Sequence, residues 1–311
     1  PYGPTWTEVS GTVGEYNDTT GWYQPVPRAL VLYRGGYEGA FRIIGLWTYT
    51  FADDKGRVEL HGLTESTQLW AWTIWAYKVD PETGEILYAP DRGDRSYGAS
   101  SGAVYNPSQA GLYSFFKHPF DLGMLTIFKA AHIILFDLGD PYFHNQALDR
   151  SVGVVFSDIR SHSPPIHRSI EQAIFSGTGT SVAVMHVPLD TPVEIIMSAS
   201  YAVRRPLGIL VNASQPEPYG VGYRLTRPGQ QHVLVNTALH FAKSLYWLND
   251  ARLKELTGLA IDVVEARDTH EETRLRIRDA ETAFQQNQYR ASQSLAAAAW
   301  RYERDAYTAL K

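Results

Sequence analysis

The chain has 311 residues, 44% apolar and 20% charged, enough for two or three domains that each bury a core. A formal net charge of -5 without any cluster of basic residues excludes an electrostatic nucleic-acid surface, and the absence of cysteine excludes disulfides, thiolate zinc sites and cysteine nucleophiles. No apolar run reaches the roughly 18 residues that a membrane-spanning helix needs. The sequence starts at Pro1 with neither a Met nor a signal-peptide pattern, which reads as a processed product or a part of a longer protein.

The first third is written in strands and tight turns. Glu8-Val-Ser-Gly-Thr-Val13 reads as a strand and Asn17-Asp-Thr-Thr-Gly21 as a polar turn. Pro25 and Pro27 bracket the entry to Ala29-Leu-Val-Leu-Tyr33, which Gly35-Gly36 is expected to break. Residues 46–51 lead into Asp53-Asp-Lys-Gly56, a tight turn in which an Asp can bond its own backbone and the Gly can take positive φ. Arg57-Val-Glu-Leu-His61 then alternates polar and apolar, the period of a half-buried strand. Residues 70–79 form a long aromatic strand, Asp80-Pro-Glu-Thr-Gly84 a second turn, and Glu85-Ile-Leu-Tyr88 the return.

Taken together, Gly11-Thr-Val13, Pro25-Val-Pro-Arg-Ala-Leu-Val31, the stretch from Asp53 to Leu63 and the aromatic strand behind it resemble the carboxypeptidase regulatory-like, transthyretin-type β-sandwich domain. That resemblance implies a core of Val13, Ala29, Val31, Val58, Leu60 and Leu63, and an accessory domain without catalytic residues. Residues 36–48 and the long loop after Tyr88 depart from the pattern.

Residues 91–109 are rich in Gly, Ser, Asp and Asn and read as a loop at a domain boundary. Beyond it, short apolar runs separated by Pro and Gly predict a second sandwich or jelly-roll-like unit, with 124–138 as a pair of buried strands interrupted at Lys129 and His132. From Thr237, a candidate cap, the pattern turns helical: segments of about 237–257, 261–286 and 288–310 form a helical hairpin or three-helix bundle. Ala291, Leu295, Ala298, Tyr302 and Ala309 are expected on the packing face of the last. The fold class is therefore mainly β with a C-terminal helical part, divided as 1–110, 111–235 and 236–311.

Candidate chemistry is sparse. Gly98-Ala-Ser-Ser-Gly102 spells a nucleophile elbow around Ser100, but lacks the strand before and the helix behind that would expose the hydroxyl. Asp158, His162 and His167 can be drawn as a metal cluster, although Pro164-Pro165 between the histidines favours a loop over a rigid ligand set. Asp53, Asp54, Asp80, Asp91 and Asp94 could offer oxygens to calcium, yet each also sits where an Asp makes a turn by itself. Arg92-Gly-Asp94 spells an integrin-binding tripeptide, Gly177-Thr-Gly-Thr180 is too short for a phosphate cradle, and Asn17 and Asn212 stand in glycosylation sequons. Trp47, Trp70, Trp72, Trp75 and Tyr77 could stack on sugar, but large rings more often fill a core or a domain interface.

No catalytic set, cofactor site or metal site is assigned, with calcium as the one candidate ion. The sequence reads as a non-catalytic extracytoplasmic module, on the cell surface, in a periplasm or secreted. Its partners would be other domains of the same larger chain or surface assembly, or carbohydrate. Nucleic acid is excluded, and any membrane contact would come through segments outside this chain. The sandwich followed by charged helices ending in Trp300-Arg-Tyr-Glu-Arg-Asp-Ala-Tyr307 is similar to the outer segment of large prokaryotic membrane proteins. A self-assembling surface-layer or filament subunit and a serine hydrolase using Ser100 are the alternatives. Tyr88, Arg92, Asp94, Tyr97 and Tyr105 mark the long polar loop as a contact surface, because a loop of this length is usually functional or disordered.

Overall fold

The computed structural model describes residues 6–39, 42–64, 73–91, 120–139, 153–175, 180–198, 206–261 and 263–310. Those residues form a mainly β protein with three C-terminal helices. The first part contains β1 (Trp6–Asn17), β2 (Trp22–Pro25), β3 (Leu30–Gly39), β4 (Arg42–Phe51), β5 (Arg57–Thr64), β6 (Thr73–Val79) and β7 (Ile86–Pro90). Strands β4, β3, β6 and β7 pair antiparallel in that order, and β1 pairs antiparallel with β5 and β2. Alternation along β1, β3 and β5 sends Val9, Val13, Val31, Val58 and Leu60 into one core with Ala29, Ile74 and Ala76. Five of the six expected core residues are thus buried, while the side chain of Leu63 lies outside the described residues.

The central turn is built as its chemistry requires. Asp53 Oδ1 accepts from the N–H groups of Lys55 and Arg57, both at 2.8 Å. Gly56 sits at φ 74°, and its carbonyl accepts from Val13 N–H at 2.7 Å. A Cβ on Gly56 would stand 2.6 Å from the Val13 oxygen, so both conformation and close approach demand glycine. The second turn repeats the device, with Asp80 Oδ1 accepting from Glu82 N–H at 2.8 Å and Gly84 at φ 73°. Strand β3, in contrast, is not broken at Gly35-Gly36: a ten-residue antiparallel ladder with β4 carries the backbone straight through.

The element that joins everything is β8 (Phe120–Leu138), a single 19-residue strand and not the expected pair. Lys129 does not interrupt it because its ammonium reaches out to Glu15 at 3.6 Å, and His132 stays inside because its ring bonds the Ile86 carbonyl. Its first half pairs parallel with β1, its middle antiparallel with β7, and its last half with β11 (Thr180–Pro188) and β14 (Gln231–Leu234). A bulge at Gly123, φ 69°, allows Leu122 and Leu125, which a regular strand would send to opposite sides, to enter one core.

The second β-unit adds β9 (Gly153–Asp158), β10 (Ser169–Phe175), β12 (Val193–Ser198) and β13 (Pro206–Leu210). One layer is β10-β11-β8-β14 and the other the three-stranded β13-β12-β9. The helices α1 (Thr237–Gly258), α2 (Val264–Gln285) and α3 (Tyr289–Ala309) do not form a separate body. Leu239, Phe241, Ile277, Ala299 and Trp300 enter the same core as Ile133, Leu135, Met185 and Ile195. The ring of Phe241 lies against Gly208 of β13, where a Cβ would approach it to 2.6 Å.

Two helix details differ from expectation. The residue ahead of α1 is Asn236 at φ 56°, which makes no side-chain cap, while the Thr237 hydroxyl donates to the Phe136 carbonyl and so ties α1 to β8. On α3 the buried line is Ser292, Ala296, Ala299, Trp300, Glu303 and Ala306, whereas Ala291, Tyr302 and Ala309 are exposed. Ranking by apolarity puts Tyr302 above Glu303, yet both buried polar residues have partners within the bundle. Ser292 Oγ accepts from Asn236 Nδ2 and donates to the Ala280 carbonyl, both at 2.8 Å. Glu303 Oε1 accepts from Asn249 Nδ2 and His270 Nδ1, also at 2.8 Å.

Candidate functional site: the junction between the β-units

Because β8 runs through both units, the residues around its middle form a junction where Tyr88, Asp91, Lys129, His132 and His167 converge. On one side, Lys129 lies 5.8 Å from the centre of the Tyr88 ring and 3.6 Å from Glu15. Burial and the Glu15 charge push the Tyr88 phenol up, and Glu15 followed by Tyr88 holds the Lys129 ammonium above its usual range.

His167, in the segment between β9 and β10, reaches across to the first unit. Its Nδ1 is 2.6 Å from Asp91 Oδ2 and its Nε2 is 3.5 Å from Asp18 Oδ2, while its ring stacks at 23° on Phe128. Burial alone would lower the pKa of this imidazole, but Asp91 and then Asp18 outweigh it and raise the pKa above the ordinary histidine value. Asp91 is positioned by its own N–H, which donates to the Thr126 carbonyl at 3.0 Å. Tyr23 packs edge-on to Tyr16 at 5.2 Å, and its phenol is pushed up by burial, Tyr16 and Asp91.

Deeper in, His132 Nε2 stands 2.6 Å from the Ile86 carbonyl, which can only accept, so that nitrogen carries a proton. With both rings neutral, His186 Nδ1–H is then the donor to His132 Nδ1 at 2.8 Å. The His186 ring meets Tyr77 edge-on at 6.1 Å, which makes Tyr77 an interface ring and not part of an open platform. At the rim, Arg227 grips Glu85 through two bonds of 2.7 and 3.1 Å and holds that carboxyl below its usual range. Gly229, at φ 75°, fits beside Glu85 and Leu87 while its N–H donates to the Ala130 carbonyl.

This chemistry is that of a cross-link. His167 presents each ring nitrogen to a carboxylate, an arrangement that joins two units and does not aim a base at a nucleophile. The residues drawn as a metal cluster are separated: His162 Nδ1 pairs with the buried Glu194 at 2.9 Å, Asp158 with Arg160 at 2.6 Å, and His167 with Asp91. Among the described residues no group of three or more His, Asp or Glu is placed to hold a metal ion. Of the calcium candidates, Asp53 and Asp80 each direct one oxygen into their own turn, Asp54 faces Arg28 at 3.7 Å and Asp91 faces His167. In the sequons, Asn17 Oδ1 accepts from Thr19 N–H and Asn212 Nδ2 donates to the Gly222 carbonyl.

Of the contact loop, Tyr88 is the one described residue, and Arg92, Asp94, Tyr97 and Tyr105 lie outside the described residues, as do Ser100, Trp70, Trp72 and Gly177. The side chain of Trp47 lies outside them as well, while Trp75 is half-buried against the cluster formed by Tyr77, Ala89, Phe128 and Ala130. Sequence reasoning missed Asp18, Glu85, His132, His186 and Arg227. The available signal was a polar residue inside an apolar run, as at His132 and His186; Asp18, Glu85 and Arg227 are surface-type residues whose partners come from distant parts of the chain.

No protein-family model and no curated protein matches the chain. Among solved structures, a DUF1812 protein from Bacteroides thetaiotaomicron is 9% identical over 74% of this chain and 90% of its own, with a TM-score of 0.23. The fimbrial anchor protein Mfa2 from Porphyromonas gingivalis is 9% identical over 66% of this chain and 82% of its own, with a TM-score of 0.21. A fimbrial protein from Bacteroides ovatus is 10% identical over 75% of this chain and 48% of its own, with a TM-score of 0.23. Scores this low assign neither a fold nor a function to this chain.

Proposed function

We propose that the chain is a non-catalytic, extracytoplasmic structural or binding module of a larger surface protein or assembly, with a carboxypeptidase regulatory-like sandwich as its first unit. The observation that supports this best is strand β4. It ends the long strand path, pairs with β3 alone among the described residues, and carries Tyr49 and Phe51 exposed by 64% and 59% with their rings 6.0 Å apart. Sheet edges are ordinarily blunted by charge, proline or bulges, so an aromatic edge suits contact with another protein domain or with carbohydrate. The cross-links at the junction fit the same reading, since they would hold the two β-units as one rigid support for that edge. Among the described residues no helix is long and apolar enough to cross a membrane.

The alternative, a subunit that assembles with copies of itself, uses the same edge. Negative-stain microscopy and light scattering of the purified chain separate the two: a module stays monodisperse, and filaments that vanish in Tyr49→Lys would establish the alternative. Stoichiometric labelling of Ser100 by a fluorophosphonate would overturn both readings. No cofactor enters the proposal, and chelation with EDTA is expected to leave the melting temperature unchanged; a drop would restore the calcium candidates.

A further inference from the structure

The docking of α1 on the second β-unit places histidines where charge is least welcome. β14 ends at Leu234, Asn236 turns the chain through a left-handed conformation, and α1 begins at Thr237. His232 on β14 is half-buried with its ring 5.3 Å from Tyr223. His240 lies in the first turns of α1, next to Phe241, which is 1% exposed and covers Gly208. No acidic residue stands in the first turn of this 22-residue helix, so the helix itself brings no carboxylate to the positive end of its dipole. Lys243 on its own helix, His232 on β14 and Glu281 on α2 act on His240 through their charges, and the Val235 carbonyl through a hydrogen bond. Glu281 is already paired with Lys243 at 2.5 Å.

We propose that the start of α1 is an acid-sensitive latch: as pH falls, charge gathering on His232 and His240 beside Lys243 loosens α1 from the strands and uncovers the apolar face that Leu239, Phe241 and Ala242 now cover. Both imidazoles are held neutral by their surroundings. Burial, then Lys243 and His232, pushes His240 down to about 4, and burial lowers His232. Forcing a proton onto either therefore acts against the docked state. The anchors that remain, Thr237 to the Phe136 carbonyl and Asn236 to Ser292, sit at the hinge and carry no titratable group. Loosening therefore begins beyond them, around Phe241.

The test is peptide-resolved hydrogen exchange of the full chain between about pH 7 and about pH 4, with a hydrophobic dye followed over the same interval. Exchange across 231–258 should rise roughly tenfold before that across 6–64 changes, together with dye binding, and both should reverse on neutralisation. His240→Gln combined with His232→Gln should move the midpoint down by about one pH unit or more, while His61→Gln, on the exposed face of β5, should leave it in place. Simultaneous loss of protection along the whole chain, or a midpoint unmoved in the double variant, would overturn the latch. Should the double variant fail to fold at neutral pH, the order of opening in the parent chain and the midpoint of His232→Gln alone decide the matter.

Discussion

The junction and the helix-docking face both rest on half-buried histidine, yet their surroundings act on it in opposite directions. At the junction, His167 lies between Asp91 and Asp18 and its pKa is raised. At the docking face, His240 lies among Lys243, His232 and the start of a helix, and its pKa is lowered to about 4. Burial opposes the charged form at both sites; what differs is whether carboxylates are close enough to outweigh it. A polar seam between two β-units can be held by charge, whereas an apolar seam between helix and sheet depends on charge staying away.

The largest expected effect comes from breaking the apolar seam directly. Phe241→Ala should destabilise the chain by about 3–5 kcal/mol, because the ring is almost fully enclosed and Gly208 beneath it has no side chain to fill the space. Urea unfolding would check it, and a loss below about 1 kcal/mol would show that α1 is not part of the core.

Acid should act on the same seam with the next largest effect. A histidine whose folded pKa is depressed contributes stability that is fully present above its unfolded value near 6.5 and is lost as pH falls toward the folded value of about 4. For His240 the loss is about 3 kcal/mol by the lower end of that window, measurable as a fall in melting temperature that His240→Gln removes. The junction shows the reverse sign. His167 has a raised folded pKa, so its contribution is fully present below about 6.5 and is lost as pH rises through the folded value. His167→Gln should therefore lower stability below about pH 6.5, where the contribution is full, and remove the fall on the alkaline side of the profile. The smallest effect is expected of Arg227→Ala, which removes an exposed ion pair from the rim and should change the melting temperature only slightly, less still at high salt.

What the sequence made legible follows the same division between local and distant chemistry. The Asp53 and Asp80 turns, the alternation of β5 and the three helices depend on neighbours within a few residues, and each formed where local pattern placed it. β8 was misread because a Lys and a His inside an apolar run look like an interruption until Glu15 and the Ile86 carbonyl, both far away in the chain, are seen to receive them. The buried line of α3 was misread for a related reason: Ser292 and Glu303 qualify as core residues only once Asn236, Asn249 and His270 stand opposite them. β14 escaped notice because Gln231-His-Val-Leu234 is short and only half-buried, and becomes a strand by pairing with β8. The His167 cross-link escaped because its partners come from a turn near the start of the chain and from the end of β7.

The opposition between the two regions can be read directly from the imidazoles themselves. In a nuclear magnetic resonance titration of the full chain with labelled histidine, His240 should titrate near 4 and His167 above the ordinary value of about 6.5. A His240 midpoint at or above that ordinary value, or a His167 midpoint below it, would contradict the account of both seams.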